Sequence, residues 1–471
     1  SVEIKINDIL IFPRYHQLEL NRKFRRSLVK DGVGANYLVQ HTTGSGKSYS
    51  IGWLAHLLTS LYKNENDTKR MFDSIIVVTD LTVLDDQLKS TIRSLQRVDG
   101  VVNGADSSEE LKTLLEKGKD IIVTTIQKFP FISDTIASLK DKNFAVIIDE
   151  VHSSQSGEYS KELKKSLSKE NKNEEDFDPQ KYISESMESR GKQKNISFFG
   201  FSGTPKRKTF EVFGARKEII DGEVRFFPFD LYSMKQSIHE GFTLDVLQNY
   251  TTYKRYFKIK NIKDSEIEIP VSQGKKKMVK FVEENQATIS AKVNIILNHF
   301  IEVGSKEILG KSRGMIVVHS RNDCVKYFKE TNKQLKERGI NYRAITGFSG
   351  EVTVKGDDKK YKEDTLNQDV GYTGNIPQAL KNPKYRLLIV ANKFQTGFDE
   401  PLIQSMYINK KLGGVQCVQT LSRLNRTTKG KTKTFILDFI NEVNDIKDAF
   451  HLYYEGTILE GETDQNVLYD I

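Results

Sequence analysis

Short apolar runs alternate with amphipathic stretches along this chain, and the alternation restricts its possible folds more than any other feature. Strands that are apolar on both faces are typical of a parallel sheet with helices on either side. Helical patterns over 81–95 and 108–118 lie between such runs, so the sequence predicts an α/β domain. The strand-like runs are SIIVVTD (74–80), DIIVTTI (120–126), FAVIIDE (144–150) and ISFFGFSG (196–203).

The same alternation returns in the second half of the chain. At roughly 100–200 residues per domain, a chain of 471 residues is long enough for two or three domains. We predict two tandem α/β domains over 1–225 and 226–440, followed by a short helical C-terminal extension over 441–471. The second set of strand-like runs covers 314–320, 340–346, 386–392, 405–410 and 433–439, with a helix over 321–339.

Two segments interrupt this pattern. Residues 164–195 are dense in charges of both signs and nearly free of aliphatic side chains, which predicts a solvated insertion loop. Residues 258–280 include the Lys-rich stretch QGKKKMVK. A solvated turn or linker is favoured there over a nucleic-acid patch.

Charge and cysteine content limit the class of protein. A net charge of +9, from 72 basic and 63 acidic residues, permits a polyanionic partner without requiring one. Cys324 and Cys417 are too far apart to suggest a metal site or a disulfide framework, so a reducing cytoplasm is expected. No apolar run approaches the ~18 residues that span a bilayer, and no signal peptide is visible. The first residue is Ser, which suggests a fragment.

The stretch HTTGSGKSYS (41–50) has the composition of a phosphate-binding loop between a strand and a helix. Small residues allow backbone N–H groups to approach phosphates, and a helix N-terminus adds positive potential. Lys47 is expected to reach the β- and γ-phosphates, and the Ser48 hydroxyl to hold Mg²⁺. His41 stands where the full pattern has Gly. The loop itself is formed by Thr43, Gly44, Ser45 and Gly46.

The run FAVIIDEVH supplies the acids that such a loop needs. Asp149 is predicted to hold Mg²⁺ through water, and Glu150 to orient and deprotonate the attacking water. His152 is a candidate for coupling the site to its neighbours. Solvated acids are common at strand ends. Asp149 and Glu150 become candidates for catalysis because the sequence also contains a phosphate-binding loop.

Upstream, RYHQLE (14–19) places an aromatic and an amide before the loop. Tyr15 could stack on adenine and Gln17 could hydrogen-bond the base edge. An ordinary amphipathic helix start explains the same residues equally well.

Near the end of the second domain, VQTLSRLNR (418–426) spaces Gln419, Arg423 and Arg426 by four and three residues. On a helix these side chains would share one face. An arginine that meets the γ-phosphate in the transition state raises the rate by several orders of magnitude. On this stretch alone, a solvated basic face is the simpler interpretation.

Together these stretches resemble the motifs of superfamily 2 helicases and translocases, in the family's order. That resemblance implies two RecA-like domains that bind ATP and Mg²⁺ between them and act on nucleic acid. The matching stretches are RYHQ (motif Q), TGSGKS (I), VVTDLTVLDDQL (Ia), VTTIQKF (Ib), DEVH (II), SGTP (III), VVHSR (IV), VANKFQTGFDEP (V) and QTLSRLNR (VI).

The resemblance also implies roles at matching positions. Ser202 and Thr204 would link hydrolysis to domain movement, and Gly397 and Asp399 would lie near the ribose and γ-phosphate. The residues implied to contact the nucleic-acid backbone are Thr79, Asp80, Thr124, Thr125, Gln127 and Ser320.

Three longer stretches, 229–253, 344–352 and 391–427, resemble the R (motor) subunit of type I restriction enzymes. This resemblance implies a double-stranded DNA translocase whose partners are specificity and methyltransferase subunits. R subunits carry a nuclease domain ahead of the motor, so the chain is expected to be the motor part or an unusual member. Val151 replaces the Ala that this family commonly has in motif II.

Two other functions stay open. One is a superfamily 2 helicase acting in repair or on RNA. The other is a nucleotide-gated binding module without turnover, against which the intact Glu150, Arg423 and Arg426 argue.

Overall fold

The structure is a computed structural model that describes most of the chain. The predicted Lys-rich segment and all but the last residue of the predicted insertion loop lie outside the described residues, as do four candidate site residues, Asp80, Gln127, His152 and Gly397. The described residues are 4–6, 9–64, 66–79, 82–95, 100–105, 107–126, 139, 141–151, 195–213, 216–220, 223–253, 255, 286–354, 359–394 and 398–454.

The chain divides into two compact units, residues 1–237 with 452–471, and residues 238–451. The strands of the first unit are β1 (Ile4–Ile6), β2 (Ile9–Ile11), β3 (Asn36–His41), β4 (Ser74–Thr79), β5 (Val102–Gly104), β6 (Ile121–Thr125), β7 (Phe144–Ile148), β8 (Ile196–Ser202), β9 (Arg216–Ile220), β10 (Glu223–Phe227) and β11 (Asp230–Tyr232).

Within the described residues, seven of these strands form one sheet in the order β11-β3-β8-β7-β4-β6-β5, and every neighbouring pair is parallel. Two antiparallel hairpins, β1-β2 and β9-β10, lie outside it. The accompanying helices are α1 (Tyr15–Asp31), α2 (Lys47–Thr59), α3 (Thr82–Ser94), α4 (Ser108–Glu116), α5 (Arg207–Val212) and α6 (Met234–His239).

Strand β4 shows why the sheet is covered on both faces. Successive side chains of a strand point to opposite faces. Ile75 and Val77 belong to a core cluster that includes α1, α2 and α3, whereas Ile76 and Val78 belong to a second cluster that includes α4 and α5. Each fully buried aliphatic side chain contributes about 1.5–3 kcal/mol, which stabilises strands apolar on both faces. The parallel α/β fold predicted for this half is therefore confirmed.

The second unit is built in the same way. Its helices are α7 (Gln286–Glu302), the single turn α8 (Glu307–Gly310), α9 (Arg321–Glu337), α10 (Glu363–Asp369), α11 (Ile376–Lys381), α12 (Gly414–Leu421) and α13 (Val443–Tyr454), with a 3₁₀ turn over Gly304–Lys306. Its strands are β12 (Tyr250–Thr252), β13 (Arg313–Val318), β14 (Arg343–Gly347), β15 (Glu351–Thr353), β16 (Lys360–Lys362), β17 (Tyr385–Val390), β18 (Ile403–Asn409) and β19 (Phe435–Asp438).

Six of these strands, counted in the described residues, form a parallel sheet in the order β12-β19-β18-β13-β17-β14. Helices α7 and α9 pack on it through side chains such as Ile296 and Phe328, against Ile316 of β13 and Ile389 of β17. Two α/β units with parallel central sheets were predicted, and both are present.

The boundary between the units lies later than the prediction placed it. Residues 226–237, assigned from sequence to the second domain, belong to the first unit because β11 extends its sheet. Asp230 pairs with Val39 and Tyr232 with His41, in parallel with β3. At the other end, the predicted helical extension contains α13, and residues 441–451 belong to the second unit.

Both cysteines are fully buried and neither forms a disulfide. Burial raises the pKa of Cys324 and of Cys417 to about 12 in each case. None of the helices in the part of the chain that the structure describes is long and apolar enough to cross a membrane.

Candidate functional site

The predicted phosphate-binding loop joins β3 to α2 and depends on its glycines. Gly44 and Gly46 have φ of 95° and 85°, a left-handed backbone that residues with a Cβ rarely adopt. A Cβ at Gly46 would also lie 2.9 Å from Nε2 of Gln17. The N–H groups of Tyr49 and Ser50 donate to the Gly46 carbonyl, so α2 begins directly at the loop. This glycine-dependent turn at a helix N-terminus is suited to phosphate binding.

The side chain of Ser45 adds a second indication. It is fully buried, and its Oγ has no hydrogen-bond partner among the described residues. Leaving a buried hydroxyl unsatisfied costs about 1–3 kcal/mol. A bound phosphate chain could supply the missing acceptor.

Three adjacent strands bring motifs I, II and III to one edge of the sheet. Motif I follows β3, motif III follows β8, and the acids of motif II follow β7, in the order β3-β8-β7. Because the strands are parallel, their carboxyl ends meet at the same edge, where open α/β sheets bind ligands. The N–H of Val151 donates to the Phe201 carbonyl at 3.1 Å, and the N–H of Thr204 donates to Oγ of Ser202 at 3.0 Å. Ser202 and Thr204 are both buried.

Lys47 and Glu150, predicted from distant parts of the sequence to serve one nucleotide, are in direct contact. Nζ of Lys47 lies 3.1 Å from Oε1 of Glu150, and the two side chains are 9% and 20% exposed. Glu150 has a φ of 51°, which is uncommon for a residue with a side chain, and its N–H donates to Oδ1 of Asp149. Sparsely populated backbone conformations cluster at active sites.

The predicted Mg²⁺ ligands come from two elements at this edge. Ser48 lies in the first turn of α2 and is partly exposed, and Asp149 follows β7. In the described residues there is no cluster of three or more His, Cys, Asp or Glu that could bind a metal without other ligands. A hydroxyl and one carboxylate fit Mg²⁺ that takes its other ligands from phosphate and water, which is its usual coordination at nucleotides.

The motif Q residues of α1 contact the phosphate-binding loop. Oε1 of Gln17 accepts from the Arg14 N–H at 2.9 Å, and Nε2 of Gln17 donates to the Gly46 carbonyl at 3.0 Å. Gln17 therefore supports the loop, and its predicted contact with the base stays a prediction. Tyr15 is 52% exposed, its ring meets Tyr232 edge-on, and its hydroxyl accepts from Gln236.

Motif VI differs from its prediction. Helix α12 ends at Leu421, so Arg423 and Arg426 follow the helix and do not share a helical face with Gln419. Hydrogen bonds with a spacing of three residues, such as Leu424 N–H to the Leu421 carbonyl, form turns beyond the helix. Arg426 then forms an antiparallel bridge with Thr243, which fixes an extended backbone there.

The two arginines have different surroundings. Arg423 is buried, and its guanidinium donates to the carbonyls of Phe398 and Gln419 at 2.9 and 3.2 Å. Arg426 is 17% exposed and its Nε donates to Oδ1 of Asp399 at 2.9 Å. Motifs V and VI are thus joined in the second unit, through Phe398 with Arg423 and through Asp399 with Arg426.

Lys431 also joins these motifs, and sequence reasoning did not find it. Its buried Nζ donates to the carbonyls of Pro401, Ile403 and Leu424 at 3.0, 2.7 and 2.8 Å. Burial, with the charge of Arg426 nearby, lowers the pKa of Lys431 to about 7. A lysine in a Lys-rich surface stretch looks solvated in sequence, so no signal singles it out.

Four of the residues predicted to contact nucleic acid lie in the described part of the chain. Thr79, Thr124 and Thr125 are buried in the sheet, and the hydroxyls of the first two donate to the carbonyls of Thr124 and Ala105. Their side chains are therefore enclosed by the sheet, and their contacts with a phosphate backbone stay predictions. Ser320 is partly exposed, but its hydroxyl caps α9, accepting from the N–H of Asp323 at 3.2 Å.

Gly203 links motif III to the phosphate-binding loop and gives a test of this arrangement. A Cβ at Gly203 would lie 2.9 Å from Oγ1 and 3.1 Å from N of Thr43. We expect Gly203→Ala to displace the loop, raise the KM for ATP about tenfold and lower stability by about 1–3 kcal/mol. Nucleotide titration and thermal unfolding measure the two effects. Gly104→Ala is the control, because its Cβ would meet only the flexible end of Lys89, and equal KM values in the two variants would contradict the expectation.

Comparison with known protein families gives two matches. The model described as SWI2/SNF2 ATPase matches residues 16–173, a range that includes the phosphate-binding loop and both acids. The model described as type I restriction enzyme subunit R domain 3 matches residues 355–441, which include Asp399, Arg423 and Arg426. The two parts of the chain are thus similar to a domain of each family, and the resemblance predicted from the motifs is confirmed.

Curated relatives agree with these matches, and a solved structure shares the fold. The SauCOLORF180P type I restriction enzyme endonuclease subunit of Staphylococcus aureus is 26% identical over 89% of this chain, and the HindI endonuclease subunit of Haemophilus influenzae is 24% identical over 88%. The chain spans 43% and 38% of their lengths. Among solved structures, the ATP-dependent type ISP restriction-modification enzyme LlaBIII bound to DNA matches with a TM-score of 0.56 at 10% identity. The match covers 96% of this chain and 30% of that one, and it shows a shared fold.

Proposed function

We propose that this chain, which carries a SWI2/SNF2 ATPase domain and a domain of type I restriction enzyme R subunits, is a motor that hydrolyses ATP to move along double-stranded DNA. The observation that supports it most directly is the meeting of Lys47 and Glu150 beside a glycine-dependent loop at the carboxyl edge of a parallel sheet. A loop that only bound nucleotide would not need a carboxylate at that place.

The chemistry follows from the residues at this edge. Backbone N–H groups of the loop and Nζ of Lys47 would hold the β- and γ-phosphates, and Tyr15 and Gln17 are proposed to contact the adenine. Mg²⁺ would be held by Ser48 and Asp149, and when bound it supplies positive charge that offsets the charge of the phosphates. Glu150 would accept a proton from the attacking water. The water oxygen then bonds to the γ-phosphorus as the bond between the γ-phosphorus and the β-phosphate oxygen breaks.

Residues of the second unit complete the proposal. Arg423 and Arg426 would stabilise the charge that develops on the transferred phosphoryl group. Asp399, which binds Arg426, and Gly397 and Gln419 are proposed to lie near the nucleotide as well. Ser202 and Thr204, beside the loop, would transmit the loss of the γ-phosphate to the rest of the first unit, and His152 is proposed to assist them.

The partners belong to the same proposal. Relatives named as type I restriction enzyme endonuclease subunits are more than twice as long as the matched region, so the chain corresponds to a part of such a protein. We propose that it works with methyltransferase and specificity subunits that choose the DNA sequence, because contacts with phosphates carry no sequence information. The proposal includes a cytoplasmic location, which the two cysteines predict.

The test compares ATP hydrolysis with duplex DNA, single-stranded DNA and RNA, and then measures displacement of a third strand from a DNA triplex. We expect hydrolysis to be stimulated most by duplex DNA and the third strand to be displaced without separation of the duplex. Glu150→Gln serves as the inactive control. Stimulation by RNA or single strands would favour a helicase, and nucleotide binding without turnover under any condition would favour a binding module.

A further inference from the structure

His41, the residue that departs from the usual loop pattern, is held by a residue far away in sequence. Its side chain is fully buried, and its Nε2 lies 2.8 Å from Oδ2 of Asp230. Asp230 is the first residue of β11 and is 7% exposed, and its other carboxylate oxygen is paired with Lys23 of α1. The first residue of the loop region is thus tied to the edge strand of the sheet and, through it, to α1.

Tyr232, the last residue of β11, contacts the loop as well. The carbonyl of Tyr232 accepts from the N–H of Thr42 at 3.0 Å. The ring of Tyr232 stacks on His16 with centroids 3.9 Å apart, and Nε2 of His16 donates to the carbonyl of Ser45 at 3.1 Å. Strand β11 therefore supports the loop at its start directly and in its middle through His16.

Charge favours a fixed hydrogen bond between His41 and Asp230. Burial lowers the pKa of His41 by more than the hydrogen bond and charge of Asp230 raise it, and the nearby charges of Lys47 and Lys23 also lower it, so the imidazole is neutral at neutral pH. Burial would raise the pKa of Asp230, but its bonds to His41 and Lys23 outweigh that effect and lower it. In a neutral imidazole only one ring nitrogen carries a proton. If Nε2 donates to the carboxylate, Nδ1 cannot, so the ring has one orientation.

We propose that Asp230, acting through His41, is a positioning residue that sets the shape of the phosphate-binding loop and thereby the affinity for nucleotide. The inference rests on the proposed function, since it assumes that the loop binds a nucleotide. Without Asp230, the buried N–H of His41 loses its acceptor, and β11 then holds the loop start only through the backbone bond between Thr42 and Tyr232. The phosphates then meet misplaced N–H groups, whereas Glu150 and the water are unaffected once ATP is bound.

The experiment titrates the protein with a fluorescent ADP analogue and measures steady-state ATP hydrolysis. For Asp230→Ala and for His41→Leu we expect the Kd and KM to rise about tenfold and kcat to stay within about twofold. The double variant is expected to bind no more weakly than either single variant, because the two residues act as one pair. His41→Gln, which keeps an N–H donor, is expected to restore most of the affinity.

The matched control is Tyr37→Phe. It removes the 3.1 Å hydrogen bond between Tyr37 of β3 and Ser27 of α1, which joins the same strand and helix further from the loop. We expect it to lower the melting temperature without changing Kd or KM. If Asp230→Ala does not fold, His41→Leu decides the question, because it keeps a side chain of similar bulk.

The outcomes separate the two claims. Additive effects in the double variant, or affinities of the single variants within about twofold of the unchanged protein, would overturn the inference alone. Failure of the unchanged protein to bind the ADP analogue would overturn the proposed function and the inference with it.

Discussion

Replacing Glu150 by Gln is expected to lower the rate of ATP hydrolysis by about 10²- to 10⁴-fold while strengthening ATP binding. The rate falls because an amide cannot accept the proton of the attacking water. Binding improves because Nζ of Lys47, which lies 3.1 Å from the Glu150 carboxylate, no longer has to leave an opposite charge to reach the phosphates. Single-turnover hydrolysis and nucleotide titration measure the two effects separately.

A surface carboxylate provides the control for this prediction. Glu211→Gln removes the partner of an exposed ion pair with Arg207, and exposed pairs contribute little. Neither hydrolysis nor binding should change in it. Hydrolysis at the normal rate in Glu150→Gln would show that another group activates the water, and unchanged or weaker ATP binding would show that the contact with Lys47 does not oppose nucleotide binding.

Replacing Arg426 by Ala is expected to lower turnover about 10³-fold and to leave ATP affinity and stability nearly unchanged. An arginine that stabilises the transferred phosphoryl group contributes about 10³–10⁵ in rate. The side chain is partly exposed and its ion pair with Asp399 contributes little to folding, whereas the backbone bridge with Thr243 does not depend on the side chain. Steady-state kinetics with duplex DNA and thermal unfolding provide the measurements.

Arg423→Ala should differ from Arg426→Ala in stability. Arg423 is buried and its loss removes a donor from the carbonyls of Phe398 and Gln419, which is expected to lower the free energy of unfolding by about 1–3 kcal/mol. The control for both is Arg343→Ala, whose guanidinium binds the Ile340 and Tyr342 carbonyls at the amino end of β14. Normal turnover in Arg426→Ala would remove motif VI from the proposed mechanism.

The fold could be predicted from the sequence because its signal is local. Runs such as FAVII of β7 are buried on both faces, and this requires apolar residues at every position, which is directly visible in a sequence. The glycines at 44 and 46 are visible for a similar reason, since a left-handed backbone strongly favours glycine. Lys47, Asp149 and Glu150 are recognisable as parts of one site because each follows a predicted strand, and the carboxyl ends of parallel strands meet at one edge of the sheet.

The parts that sequence did not predict depend on contacts between distant residues. Nothing in DLY (230–232) indicates that it forms the edge strand beside β3, since three residues carry too weak a periodicity. The end of α12 was missed because the sequence continues with helix-compatible residues, and the pairing of Arg426 with Thr243 overrides that tendency. Thr79 and Thr124 were assigned to nucleic acid by motif, and only the sheet shows that their hydroxyls point into it.

The depth of Cys324 and Cys417 has a practical consequence for watching this protein work. Thiols with a pKa near 12 and no exposure are almost entirely unreactive toward maleimides at neutral pH. Dyes could therefore be attached at introduced cysteines, for example in place of the exposed Lys112 of α4 and Lys333 of α9, without removing either native thiol. Energy transfer between such a pair would report on the distance between the units during ATP turnover.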